Sequence, residues 1–374
     1  MFPRLRALSL SLALFLLPAS SSCAATLGPA QTYDDLREFF ATAGQGDTVL
    51  VSGTLSADDN VPLHTVNSIR LSSSDDNPAS ISGLCLRDAS VTFTDITLCD
   101  SLTVDGASHI QLASDASVSG AAGQNGLTFS GHGTLIVDPG CSIIGGSESA
   151  GVSISHSGGE FYASLEGNIQ GGSGTTGGAG VIISPLSSSG VVMISGSILG
   201  GHGSSHGGHA VNLYNLSGDA YITIDGDLRG GDGAIGGDGI QLVAVRDRVN
   251  VGIGGRIKGG RGETYGGDAL ILMNAEGASS FQLSGTFSGG DAAGRSAQPG
   301  TSLQLVGDST AAHTHVVDCI LEDGMRVASV GFSAPEGSPE VTPLPEIKSS
   351  IKDVESLTTP LPTPQEEVVL DPAH

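Results

Sequence analysis

The chain has 374 residues, 57 of them glycine, about twice the ordinary ~7% share, while tryptophan is absent and aromatic residues reach only 4%. That composition excludes compact helical folds and a large aromatic-lined catalytic pocket, although hydrophobic residues at 39% suffice for a narrow, continuous core. With the basic leader set aside, thirteen basic residues face 39 acidic ones, a net of −26 that excludes nucleic acid and anionic membranes as partners and favours solubility and cation uptake.

Arg4 and Arg6 precede an apolar run over 7–17, then Pro18 and a small-residue stretch ending at Ala25. This order predicts a secretory signal peptide over 1–25, and so a protein that is secreted, extracellular or held at the cell surface. The run is too short to span a bilayer, and no later stretch approaches the ~20 apolar residues of a transmembrane segment. Lipoprotein anchoring through Cys23 is the alternative, but Ser20 stands where such signals carry a Leu-like residue. The mature chain keeps Cys85, Cys99, Cys141 and Cys319, whose pairing the sequence leaves open and whose spacing fits no zinc site.

A short helix is predicted over about 33–42, with apolar residues at helical spacing and Thr32 and Asp34 as candidate N-caps. Gly44-Gln45-Gly46-Asp47 ends it, and the residues from Thr48 to Thr54 alternate as a strand. Further on, five segments share hydrophobic-x-Gly-x-hydrophobic-x-Gly-Gly, with middle glycines Gly167, Gly196, Gly226, Gly255 and Gly285 at intervals of 29, 30, 29 and 30. In four of them a second Gly-Gly follows, then an alternating pair: Val181 and Ile183, Val211 and Leu213, Ile240 and Leu242, Leu270 and Leu272. Such a unit cannot bury its inner face alone, so the units must stack by parallel pairing. The prediction is an all-β parallel β-helix, or β-solenoid, of about 29–30 residues per rung, with weaker copies upstream, Cys141 in place of a repeat glycine, and glycine corners with positive φ.

The helix, the Gly46-Asp47 turn and the β run closing on Gly53-Thr54 resemble the N-terminal cap of the pectate-lyase-like right-handed parallel β-helix proteins, and the rung pattern carries that resemblance to about Val306. Handedness follows from the resemblance alone, which places one β-helix domain over 26–334. Beyond it the composition changes: the last forty residues hold eight of the sixteen prolines and two lysines against eight acids, which predicts a disordered tail over 335–374.

The resemblance also implies an alternative activity, because polysaccharide lyases and polygalacturonases share this architecture. Gly201-His202-Gly203 and Arg256-Ile257-Lys258 look like fragments of the polygalacturonase pattern, but the paired aspartates that the pattern requires have no match ahead of His202. The repeat register makes Arg256 and Lys258 ordinary outward positions. His202, His206 and His209 form a candidate metal cluster, with exposed corner residues the plainer reading. Arg229, Arg256, Lys258 and Arg261 form a candidate anion site for acidic glycan, although stacking also sets Asp227 beside Arg256 and alternates Asp232, Arg261 and Asp291. Asp238 and Asp268 occupy one corner position on adjacent rungs and form a candidate Ca²⁺ site. No cofactor is required. The expectation is that the five tyrosines, Tyr33, Tyr162, Tyr214, Tyr221 and Tyr265, share no repeat position, which argues against a sugar-stacking platform. The functional expectation is a non-catalytic, adhesin-like, glycan-binding or structural protein whose partner is extracellular polysaccharide or a host or cell-surface protein; the alternative is a lyase or hydrolase of acidic polysaccharide.

Overall fold

The computed structural model describes residues 25–328 apart from 58–60, 66, 75–78, 157, 188, 276–278, 295–296, 307–312 and 324. The expected signal peptide, Cys23 and the expected disordered tail lie outside the described residues, as does the side chain of Cys319. A strand at Thr26–Ala30 leads into the one helix among the described residues, Tyr33–Thr42. Thr32 is its N-cap: the Thr32 hydroxyl accepts the Asp35 amide while the Asp35 carboxylate accepts the Thr32 amide. The Gln31 amide, with help from Thr32, holds the Asp35 carboxyl below its usual value. Tyr33, Leu36 and Phe40 are buried, joining the helix to the same apolar core as the strands.

From Thr48 onward the chain winds through parallel strands that form three long faces. On the first face the register runs through Thr48, Arg70, Thr92, Gln111, Ile136, Ser164, Met193, Thr223, Gly252, Gln282 and His315. The intervals are 22, 22, 19, 25, 28, 29, 30, 29, 30 and 33, so the period read from the sequence holds for the later turns and the N-terminal turns are shorter. A bend at the repeat glycines leads to the second face. Gly226 pairs with Gly255, and a Cβ placed on Gly196, Gly226, Gly255 or Gly285 would meet the carbonyl of the repeat glycine one turn earlier, so the five align along one edge. Cys141 continues this column below Gly167 and is fully buried, and that burial pushes its thiol up.

The third face carries the predicted alternation. Val181, Val211, Ile240 and Leu270 form one buried ladder, and Ile183, Leu213, Leu242 and Leu272 form a second. Each such side chain contributes about 1.5–3 kcal/mol on leaving water. In register these strands pair in parallel with the rungs above and below, which satisfies their main-chain groups there without helices.

Between the second and third faces each later turn extrudes a fin. Gly174–Thr176, Gly203–His206, Gly233–Ile235 and Gly262–Tyr265 pair in order as a separate four-stranded parallel sheet. The fin joins the body through a neck made of glycine. Within a turn the Gly208 amide donates to Gly201 O at 2.8 Å, and between turns the Gly231 amide donates to Gly208 O at 2.7 Å, a zigzag that continues through Gly237, Gly260, Gly267, Gly290 and Gly300. The expectation of positive φ at these corners is corrected here. Of the five repeat glycines only Gly255 and Gly285 take positive φ and none of the Gly-Gly pairs does, whereas the Gly-Gly pairs are needed because a Cβ would strike backbone: on Gly201 it would lie 2.0 Å from Gly172 O, and on Gly231 2.0 Å from Gly201 O.

Candidate functional site

The re-entrant angle between the fin and the third face is a groove parallel to the solenoid axis. One stretch encloses about 620 Å³ beside the fin and a second about 420 Å³ further toward the N-terminus. Asn125 lines the second and Ala150 the first, and the Ala150 amide donates to Asn125 Oδ1 at 3.0 Å, so the two stretches meet on adjacent turns. Along the third face the register of this strip runs Cys85, Thr103, Thr128, Ser153, Ile182, Asn212, Gln241, Ile271 and Gln304. Eight rung steps of ~4.8 Å make the strip about 38 Å long.

The outer wall is the register column Thr176, His206, Ile235, Tyr265 and Gln298 on the fin, with Tyr265 47% and Ile235 37% exposed. The glycine neck forms the floor, and Ala179, His209, Asp238 and Asp268 rise from the body side. Asp238 and Asp268 stand on adjacent turns as the sequence predicts. They form a ladder of caps: the Asp268 amide donates to Asp238 Oδ1 at 2.9 Å, and the Thr301 amide and hydroxyl both donate to Asp268 Oδ1. His209 begins the ladder, its Nδ1 lying 3.1 Å from both the Asp238 amide and Asp238 Oδ2. Unprotonated, Nδ1 accepts the amide; protonated, it pairs with the carboxylate. Charge-assisted bonds from amides to carboxylates account for both aspartates without a cation. Of the three histidines singled out in the sequence, His206 and His209 line the groove and His202 does not. Among the described residues no three His, Cys, Asp or Glu side chains come together as a metal site. At the N-terminal end of the fin, Glu148 accepts the Thr175 and Thr176 amides, which hold its carboxyl below the ordinary value.

The basic cluster lies on the second face and the adjoining flank of the fin, outside the groove lining. Asp227 pairs with Arg256 in register, with 3.8 Å between their charged groups. Arg229 and Lys258, stacked on neighbouring turns, each reach a carboxylate: Arg229 meets Asp232 at 2.8 Å and Lys258 meets Asp291 at 3.5 Å. Asp232 also accepts the Arg261 amide. These pairs are exposed, so they add little stability and leave the guanidinium groups accessible. The structure thus brings the two aspartates together in the groove and disperses the four cations along an ion-paired surface.

The tyrosines require a correction. Tyr162 and Tyr221 do share a repeat position, both pairing with Val191 on the turn between them, and with Met193 they make an exposed apolar stripe on the first face. Sequence reading also missed the fin and so the groove. Its trace was the third glycine of Gly-Gly-x-Gly, at Gly174, Gly203, Gly233 and Gly262, which stands where the fin strands begin.

Comparison of the chain with family models, with curated proteins and with solved structures finds no match. The fold and the groove therefore carry the functional argument. Among the described residues no helix is long and apolar enough to cross a membrane.

Proposed function

We propose that the chain is a secreted or surface-held, non-catalytic binding rod that lays an extended polysaccharide along the groove between the fin and the third face. The supporting observation is the linear groove itself: it presents one wall position and one body position at every rung, about 4.8 Å apart, along which an extended chain can lie. Tyr265 and Ile235 offer an apolar wall for a sugar face, while Asn212, His209 and the two aspartates offer hydrogen-bonding groups opposite.

Two features weigh against catalysis. Asp238 and Asp268 project from the same side, and Glu148, the carboxylate at the fin, stands three turns from Asp238, about 14 Å at one rung spacing per turn, whereas glycoside hydrolysis requires two carboxyl groups flanking one bond. No lysine or arginine lines the groove among the described residues, so no guanidinium or ammonium group is placed there to stabilise a uronate carboxylate during elimination. The pectate-lyase-like right-handed assignment remains part of this proposal as architecture, without its enzymology. A glycan array probed with the full chain and with Tyr265→Ala tests the reading. Retention of at least one extended oligosaccharide, lost in the variant, supports it; equal retention by both, or none by either, overturns it.

A further inference from the structure

The capping ladder on the body side of the groove has a gap, and the gap coincides with an unpartnered side chain. In the column Asn125, Ala150, Ala179, His209, Asp238, Asp268 and Thr301, four amides donate to the side chain one turn earlier. Asn125 serves Ala150, His209 serves Asp238, Asp238 serves Asp268, and Asp268 serves Thr301. Ala150 and Ala179 bear only methyl groups, so the amides of Ala179 and His209 have no acceptor among the described residues. Ala179 is only 8% exposed, and the groove is the side from which these two donors are reached. On the adjoining strand Asn212, paired in register with Ile182 and Gln241, has a side-chain oxygen that is buried and without a partner. Native proteins pair nearly all such groups, so two donors and an acceptor left open in one groove need a ligand or water to complete them.

Charge decides which ligand. Among the described residues Glu148, Asp238 and Asp268 line this groove and no arginine or lysine does, so a carboxylate or phosphate is repelled. A sugar hydroxyl is neutral and serves as donor and acceptor at once, which suits amide donors beside an amide oxygen. We infer that the Ala179 and His209 amides with Asn212 form a subsite for hydroxyl groups of a neutral polysaccharide, and that uronates are refused there. This deepens the proposed function and rests on it.

The test exploits the neighbouring rungs. Ala179→Asp supplies the His209 amide with the cap that Asp238 gives Asp268, and Asn212→Leu removes the unpaired oxygen between Ile182 and Gln241. Both substitutions complete the fold and empty the subsite. Titration calorimetry of the full chain uses neutral hexasaccharides (β-1,4-glucan, β-1,4-mannan, β-1,3-glucan and an N-acetylglucosamine hexamer), with hexagalacturonate as the charged probe. The expected result is binding of at least one neutral hexamer and not of hexagalacturonate, weakened at least tenfold in each variant while the melting temperature holds or rises. A purely structural role would lower the melting temperature instead. Wild-type affinity in both variants, or preference for hexagalacturonate, overturns the subsite and leaves the groove proposal standing; binding of no oligosaccharide overturns both.

Discussion

Gly231→Ala perturbs the neck at its centre. A Cβ there lies 2.0 Å from Gly201 O and 2.7 Å from its carbonyl carbon, and both atoms are backbone that no rotamer change moves. Restoring a tolerable contact requires these rungs to part by about 1 Å, against a parallel spacing of ~4.8 Å that is fixed by their hydrogen bonds. The bonds between these two turns that give way are Gly231 N to Gly208 O at 2.7 Å and Gly203 N to Asp232 O at 2.9 Å. Losing two bonds and leaving their groups unpaired costs about 3–6 kcal/mol. Gly158→Ala is the control, because a Cβ there meets nothing within 4 Å and no positive φ is involved. That substitution should hold stability or raise it by about 0.4–1 kcal/mol through the unfolded chain. Urea unfolding followed by circular dichroism separates the two. If Gly231→Ala unfolds at the wild-type midpoint, close backbone approach is not what the glycine pairs serve, and the account of the neck fails.

Three further expectations concern side chains. Because the folded Glu148 carboxyl sits below its ordinary 4.5, its contribution to stability is present above that value and is lost as pH falls through the lower folded value; amide exchange at Thr175 and Thr176, corrected for intrinsic rates, should accelerate there, and Glu148→Gln should remove the acid step. Buried Cys141, its thiol raised by burial, should resist a thiol reagent in the native state and react on unfolding, whereas ready native labelling would contradict its place in the core. Asp238→Ala should destabilise by about 1–3 kcal/mol by orphaning the Asp268 amide, and Asp238→Asn, which keeps an acceptor, by less. Running that series in Ca²⁺ and in chelator at matched ionic strength decides the candidate cation site. A calcium-dependent rise that Asp238→Asn with Asp268→Asn abolishes assigns it, and coincident curves leave the amides as the partners.

The solenoid was legible because its signal is periodic. The alternation at Val181 and Ile183 and the glycine spacing from Gly167 to Gly285 each report one position of a repeated cross-section, and the structure keeps both. The helix over Tyr33–Thr42 was equally readable, since capping chemistry is local. What stayed hidden depends on how the chain doubles back within a turn. Gly201 and Gly208 look alike as sequence whether they turn the backbone or let two backbones touch, and only the second brings the Gly203–His206 strand out as a fin. The adjacency of Asp238 and Asp268 followed from register, but their amide partners did not, because the direction of an N–H between rungs is a property of backbone orientation. The unfilled amides of Ala179 and His209 were invisible for the same reason: an alanine in a repeat reads as a small residue, not as a missing acceptor.

Hydrogen exchange of the full chain with and without a neutral hexasaccharide tests the central claim most directly, because it maps the bound face without presupposing a residue. The account predicts ligand-dependent protection at 177–182, 207–212, 236–239 and 266–269, strongest at the Ala179 and His209 amides, with the first face over 190–194 unchanged. Protection confined to the stripe of Tyr162, Val191 and Tyr221, or to the ion-paired strands around Arg229 and Lys258, would contradict it and move the binding surface to that face.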